Sequence, residues 1–311
     1  MEFPVDGANS NQKYMFKKPD AYATIILYEV SAYLVLFPGE DIAMVDAIEF
    51  RNVTYAYKRV PALDNLSFRI PENSIVGMIG ANGAGKTTAI RLMIRYLQPD
   101  RGSILYKGQD IYSLLGKNHM LHGKWNCGNK KSRMQSGGGY PITYIPDLPV
   151  VFEELTVLEH LAFIGAMYHT EERIDDLTDL FELKAHLDKV PGILSKGTRQ
   201  KLSIACALLR EYEILLADEP FSGLDPKQIS VLKERILEEK CKGKTVILST
   251  HLLSLIESIC DYYVLIDRGR LLCQGSLAEL MELQGLSSLE KIYLQLSSQE
   301  VGETEETETE D

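Results

Sequence analysis

The chain reads as an α/β protein built on a buried parallel sheet, and three observations carry that reading. Ser74-Ile75-Val76-Gly77-Met78-Ile79 is a short apolar run that leads through a glycine-rich loop into Ile90, Met93, Ile94 and Leu97, which recur at helical spacing. Ile214-Leu215-Leu216-Ala217 and Thr245-Val246-Ile247-Leu248 are two more apolar runs without polar alternation, the pattern of strands covered on both faces. Amphipathic helical stretches lie between these runs, as a layered α/β protein requires.

Taken in order, residues 1–43 stand apart: Met1 to Asp20 is polar and irregular, and Ala21 to Phe37 is rich in β-branched and aromatic residues. That run is interrupted by Glu29 and Ser31, too short and too polar for a membrane span, and no small-residue cleavage site follows it. The working domain is expected to begin near Met44, with 1–43 an accessory extension or an artefact of the chosen start. Ala47 to Val53 alternates apolar and polar like a half-exposed strand, and Leu66 to Ile70 is a second strand before the turn Pro71-Glu72-Asn73. Tyr55 and Tyr57 lie between them, where an aromatic either stacks on a ligand ring or packs as a strand tyrosine.

Residues 116–140 break the pattern with glycines among Lys117, Lys124, Lys130, Lys131 and Arg133, a basic surface insert without an acid. His119, His122 and Cys127 lack the fourth ligand and paired spacing of a metal site. Further on, Val157, Leu158, Leu161 and Ile164 share a helical face, Ile174 to Phe181 forms a second helix, and Leu202 to Leu209 a third. Leu286, Leu289, Tyr293 and Leu296 suggest a last helix, ahead of an acidic tail expected to be disordered over 296–311.

Bulk composition bounds the function. A chain of 311 residues, 45% apolar and 25% charged, is an ordinary globular protein. Its net charge of −11 is concentrated in the last twelve residues, so the rest is only mildly acidic and nucleic acid is not an expected partner. Five scattered cysteines argue for reduced thiols rather than a disulfide framework.

The chemistry sits at the ends of the apolar runs. Gly80-Ala81-Asn82-Gly83-Ala84-Gly85-Lys86-Thr87-Thr88 fits G-x-x-x-x-G-K-[ST] at every fixed position, between a strand and a helix. Backbone N–H groups in such a loop face phosphate oxygens, the lysine reaches the β- and γ-phosphates, and the Thr87 hydroxyl can ligate Mg²⁺. The run at 214–217 ends in Asp218-Glu219, carboxylates costly to leave at a buried strand end without a cation or a hydrogen-bonded role. The first suits a metal, the second an attacking water. The run at 245–248 ends in Ser249-Thr250-His251, on the ligand edge of an open sheet. Leu194-Ser195-Lys196-Gly197-Thr198 precedes a helix, where an N-cap serine or an anion site both fit.

Together these pieces resemble the ATP-binding subunit of ABC transporters, over residues 44–295. Walker A is Gly80 to Thr88, Walker B with its glutamate is Ile214 to Glu219, and the D-loop is Ser222-Gly223-Leu224-Asp225-Pro226. His251 stands at the switch histidine, and Leu194 to Thr198 at the L-S-G-G-Q signature. The resemblance implies a P-loop NTPase with a RecA-like parallel core, an antiparallel β subdomain and a helical signature subdomain at about 148–212. It implies catalysis by Glu219 and His251, and ATP binding by Tyr57 (stacking on adenine) and the loop residues Gly80, Ala81, Asn82, Gly83, Ala84, Gly85, Lys86, Thr87 and Thr88. It implies Mg²⁺ on Thr87 and Asp218, with Asp147 also placed to approach it.

The signature residues Ser195, Lys196, Gly197 and Thr198 would act on the ATP of a second such domain, with Asp225 linking the two sites. By the same resemblance the partners are that second ATPase domain, identical or not, and a separate transmembrane permease. The chain would then sit on the cytoplasmic face of the plasma membrane, in an exporter-like bacterial system. Lys196 and Thr198 replace the usual Gly and Gln, and Asp147 stands where the Q-loop glutamine is expected. A soluble ATPase of this type in translation or DNA repair usually carries two nucleotide domains or long heptads, whereas one phosphate loop and no sustained heptads occur here. A nucleotide sensor with a weakened site is the remaining alternative, resting on Asp147 and Lys196 alone.

Overall fold

A computed structural model describes residues 46–113 and 140–307, all within the unit Met44–Asp311. The expectations for residues 1–43, for His119, His122 and Cys127, and for nearly all of the basic insert fall outside the described residues.

Two sheets carry the fold. The first is antiparallel, in the order β2-β1-β4-β5, from β1 (Asp46–Tyr57), β2 (Val60–Pro71), β4 (Arg101–Tyr106) and β5 (Gln109–Asp110). The second has the order β10-β9-β3-β8-β7-β6. Its strands are β3 (Ile75–Ile79), β6 (Ile142–Ile145), β7 (Ile214–Asp218), β8 (Thr245–Thr250), β9 (Tyr262–Asp267) and β10 (Arg270–Gly275). All its neighbours pair in parallel except β9 and β10, which form an antiparallel edge.

The apolar runs are continuous because both faces of this sheet are covered. Ile75, Ile79, Leu215, Ala217, Val246, Leu248 and Leu265 enter one core, shared with the helices. The alternate residues Val76, Met78, Ile214, Leu216, Ile247 and Val264 enter a second core, shared with β1, β2, β4 and the helix that follows β3. Strand periodicity therefore survives as a choice between two apolar layers.

The helices are α1 (Lys86–Met93), α2 (Val157–Tyr168), α3 (Ile174–Leu180), α4 (Lys196–Leu209), α5 (Pro226–Cys241), α6 (Leu253–Ile256), α7 (Leu277–Gln284) and α8 (Leu289–Thr307). Thr156 starts α2 with a capping box to Glu159. Val157 and Leu161 are buried as the pattern predicts, but Leu158 is 46% exposed and belongs to an outer face. The helix expected from Leu202 begins six residues earlier, at Lys196, because Ser195 caps it through the Thr198 N–H. The last helix runs past residue 296 to Thr307. Among the described residues no helix is long and apolar enough to cross a membrane.

Register positions the functional residues. Ile79 pairs with Thr250, Asp218 with Ser249, and Ile145 with Ala217. The carboxyl ends of β3, β8, β7 and β6 therefore align, and Gly80, His251, Glu219 and Asp147 all follow that single edge. Two tyrosines flanking the basic insert fix α1 from its far end. The Tyr112 hydroxyl donates to the Leu92 and Leu97 carbonyls at 3.0 and 2.7 Å, and the Tyr140 hydroxyl donates to the Met93 carbonyl. Both rings also face the Arg95 guanidinium.

Candidate nucleotide-binding site

A cleft of about 210 Å³ opens at this edge, lined by Ala81, Asn82, Gly83, Gly85, Lys86, Thr87, Thr88, Asp147, Asp218 and Glu219, with Ala62 from β2. Gly85 makes the turn into α1 at φ 108°, where a Cβ would meet the Leu63 side chain at 2.7 Å and the Ala62 carbonyl at 2.9 Å. Only glycine fits that position. The loop then presents its backbone to the cleft with the N-terminus of α1 behind it.

Lys86 is 7% exposed, and its ammonium donates to the Gly80 and Ala81 carbonyls at 2.6 and 3.1 Å. Burial pulls its pKa below the ordinary lysine value, with Glu219 and Asp218 opposing. Asp218 is 3% exposed, and burial pushes its carboxyl up against the hydrogen bonds it accepts. The Thr87 hydroxyl donates to Asp218 Oδ2 at 3.0 Å. A buried cation and a buried carboxylate thus lie in one cleft, each disfavoured by desolvation. An anion against Lys86 and a cation against Asp218 would relieve both.

Glu219 follows at φ 46°, a left-handed conformation uncommon for a non-glycine residue. Its backbone N–H donates to the Ser249 carbonyl at 2.8 Å, tying the turn after β7 to β8. Its side chain is held by three donors from the end of β8. The Thr250 hydroxyl donates to Oε2 at 2.9 Å, and the His251 amide donates to Oε1 at 3.1 Å. The His251 Nδ1 lies 2.7 Å from Oε1. Thr250 was not singled out by the sequence, although its place one residue before a strand-end histidine is the signal that could have found it.

The oxygen donors Thr87, Asp218 and Asp147 suit Mg²⁺, a hard cation that takes one or two protein ligands and completes its shell with water and phosphate. Tyr57 lies at the end of β1, 37% exposed, and its hydroxyl accepts from Arg91 at 3.3 Å; it does not line the phosphate cleft itself.

The signature residues also lie away from that cleft. Ser195 Oγ accepts from the Thr198 N–H at 3.1 Å and lies 2.8 Å from the Thr198 hydroxyl. The Lys196 ammonium donates to the Ser222 hydroxyl at 3.1 Å. Gly197 packs so closely on the Gly223 carbonyl that a Cβ would sit 2.4 Å from it. Asp225 caps α5 by accepting from the Gln228 N–H at 2.9 Å. Ser195 to Thr198 and Ser222 to Asp225 therefore form one joined surface, separate from the chain's own phosphate loop.

Residues 63–222 match the family model described as ABC transporter. The chain is 36% identical over 264 residues to the ABC-type transporter ATP-binding protein EcsA of Bacillus subtilis (strain 168), covering 82% of this chain and 98% of that protein. The chain belongs to the ABC transporter family. It is 31% identical over 252 residues to the Nod factor export ATP-binding protein I of Sinorhizobium fredii (strain NBRC 101917 / NGR234), covering 79% and 68% of the two chains. A solved structure titled as an ATP binding subunit of an ABC transporter superposes with a TM-score of 0.69 at 33% identity, covering 81% of this chain and 99% of that one. As an ABC transporter ATP-binding domain the chain is an ATPase, and its P-loop NTPase core with an antiparallel sheet agrees with the fold expected from sequence.

Proposed function

We propose that the chain hydrolyses ATP in the Gly80–Thr88 cleft to power a separate transmembrane partner, and that each site is completed by a second ATPase domain. The observation that carries this reading is Glu219, fixed by Thr250 and His251 beside the buried Lys86 and Asp218. Such prior fixing leaves little reorganisation for the reaction itself.

The steps follow from the residues. Triphosphate replaces the Gly80 and Ala81 carbonyls as the partner of Lys86, while loop N–H groups cradle the phosphates. Thr87, Asp218 and Asp147 would hold Mg²⁺, which neutralises charge developing on the β- and γ-oxygens. Glu219 orients the attacking water and accepts its proton, and His251 keeps the carboxylate aimed. Ser195 and Gly197 lie outside this cleft, which supports their acting on the ATP of a second domain across a two-fold interface. Dimer closure on ATP and opening after hydrolysis then bias the partner between two states.

A membrane partner is supported by an exposed apolar patch. Leu148, Val150, Phe152, Phe163 and Met167 are exposed, beside a groove of about 570 Å³ that includes Arg91, Tyr96 and Tyr144. That groove shares Thr87, Asp147 and Asp218 with the nucleotide cleft, so a segment seated there would feel the metal end of the site. The chain would then be held peripherally on the cytoplasmic face of the membrane. An exporter is favoured by the likeness to a protein named for Nod factor export. Affinity purification from detergent-solubilised membranes tests this: a co-purifying multi-span membrane protein is expected, whereas ribosomes or DNA would overturn it.

A further inference from the structure

The phosphate loop is held from behind by the last helix. The Ala81 N–H donates to the Tyr293 hydroxyl at 2.7 Å, across 212 residues of sequence. The carbonyl of the same peptide unit, that of Gly80, accepts from the Lys86 ammonium at 2.6 Å. In a trans peptide these two groups point in opposite directions. Tyr293 and Lys86 therefore grip one peptide from its two sides.

The position of Tyr293 is set independently of the loop. Leu289 and Ile292 on α8 are fully buried in the helix-side core, and Tyr293 packs partly buried against that core. The Gly269 N–H braces the loop at a second point, donating to the Ala84 carbonyl at 2.9 Å.

We propose that Tyr293 is a positioning residue for the ATP site, its hydroxyl fixing the Gly80–Ala81 peptide and, through it, the resting place of Lys86. This rests on reading the cleft as the ATP site. Without the hydroxyl the Gly80–Ala81 peptide is free to turn, and the loop must be reordered when triphosphate binds. The chemistry at Glu219 and Asp218 is untouched, because both are held by β7, β8 and Thr87.

The test compares the full-length wild type with Tyr293→Phe and Tyr293→Leu, measuring ATP binding by titration calorimetry, phosphate release and thermal unfolding without nucleotide. Tyr293→Phe keeps the ring and loses only the hydroxyl, so KM and Kd for ATP should rise roughly 2- to 12-fold, the scale of one neutral hydrogen bond, with kcat changed less than about twofold. Its unfolding temperature should stay near that of the wild type, whereas Tyr293→Leu should lower both stability and affinity. Unchanged or tighter ATP binding by Tyr293→Phe overturns the proposal and reduces Tyr293 to packing. Failure of the wild type itself to bind ATP overturns the reading of the cleft, and this proposal with it.

Discussion

Replacing Glu239 by glutamine removes a charge on which the rear of the sheet depends. Glu239 lies on α5, is fully buried, and collects four donors. Arg235 and Lys242 reach Oε1 at 2.8 and 2.9 Å, while Lys244 and the Tyr212 hydroxyl reach Oε2, both at 2.7 Å. Lys244 immediately precedes β8 and Tyr212 lies just before β7, so one carboxylate joins a helix end to the starts of two core strands. Burial alone would raise its pKa, but the hydrogen bonds from Lys244, Lys242 and Tyr212 outweigh it and hold the group at about 2, against 4.5 for a free glutamate. That difference corresponds to about 3 kcal/mol at neutral pH.

Because the folded value is depressed, this stabilisation is present above pH 4.5 and is lost as pH falls toward 2. Urea unfolding of the two proteins should show Glu239→Gln less stable by roughly 3 kcal/mol at pH 7, with Arg235, Lys242 and Lys244 left facing a neutral amide. The gap should narrow by about 1 kcal/mol between pH 5.5 and pH 3.5. The cleft lies at the opposite edge of the sheet, so KM for ATP should not change. A gap under about 1 kcal/mol at pH 7, or one independent of pH over that range, would refute the reasoning.

Two predictions concern the ATP site and its surroundings. Lys86→Ala should weaken ATP binding by roughly 10- to 100-fold, the scale of a lost charge-assisted contact; unchanged affinity in calorimetry would remove the loop from phosphate binding. Gly197→Ala places a methyl against the Gly223 carbonyl and should separate the signature segment from the D-loop. ATP Kd of the isolated chain should stay within about twofold while hydrolysis falls about tenfold, the scale of overpacking. Equal losses in binding and turnover would show that Gly197 serves its own chain's cleft.

What the sequence reveals and conceals follows from the range of the interactions. The phosphate loop is legible because its chemistry is local: glycines, lysine and hydroxyl sit within nine residues of a strand and a helix. The acidic end of β7 and the histidine after β8 are legible for the same reason, since each closes an apolar run. Glu239 is not, because Arg235, Glu238, Glu239, Lys240 and Lys242 read as a solvated helix face, and only the fold shows which carboxylate points inward. Leu158 misleads in the opposite sense: it fits the buried face of α2 by spacing yet is exposed. The bond from Ala81 to Tyr293 leaves no local trace, since a tyrosine at helical spacing predicts only packing. The capping role of Ser195 is visible locally, but its separation from the cleft on its own chain needs the tertiary structure.

The central claim is that Glu219, held by Thr250 and His251, drives hydrolysis of ATP bound at Gly80–Thr88. The most direct measurement is ATP binding and single-turnover hydrolysis by Glu219→Gln alongside the wild type. The mutant should bind ATP as tightly as the wild type and hydrolyse it at least about 100-fold more slowly, the scale of lost base catalysis. Hydrolysis at the wild-type rate would contradict the account.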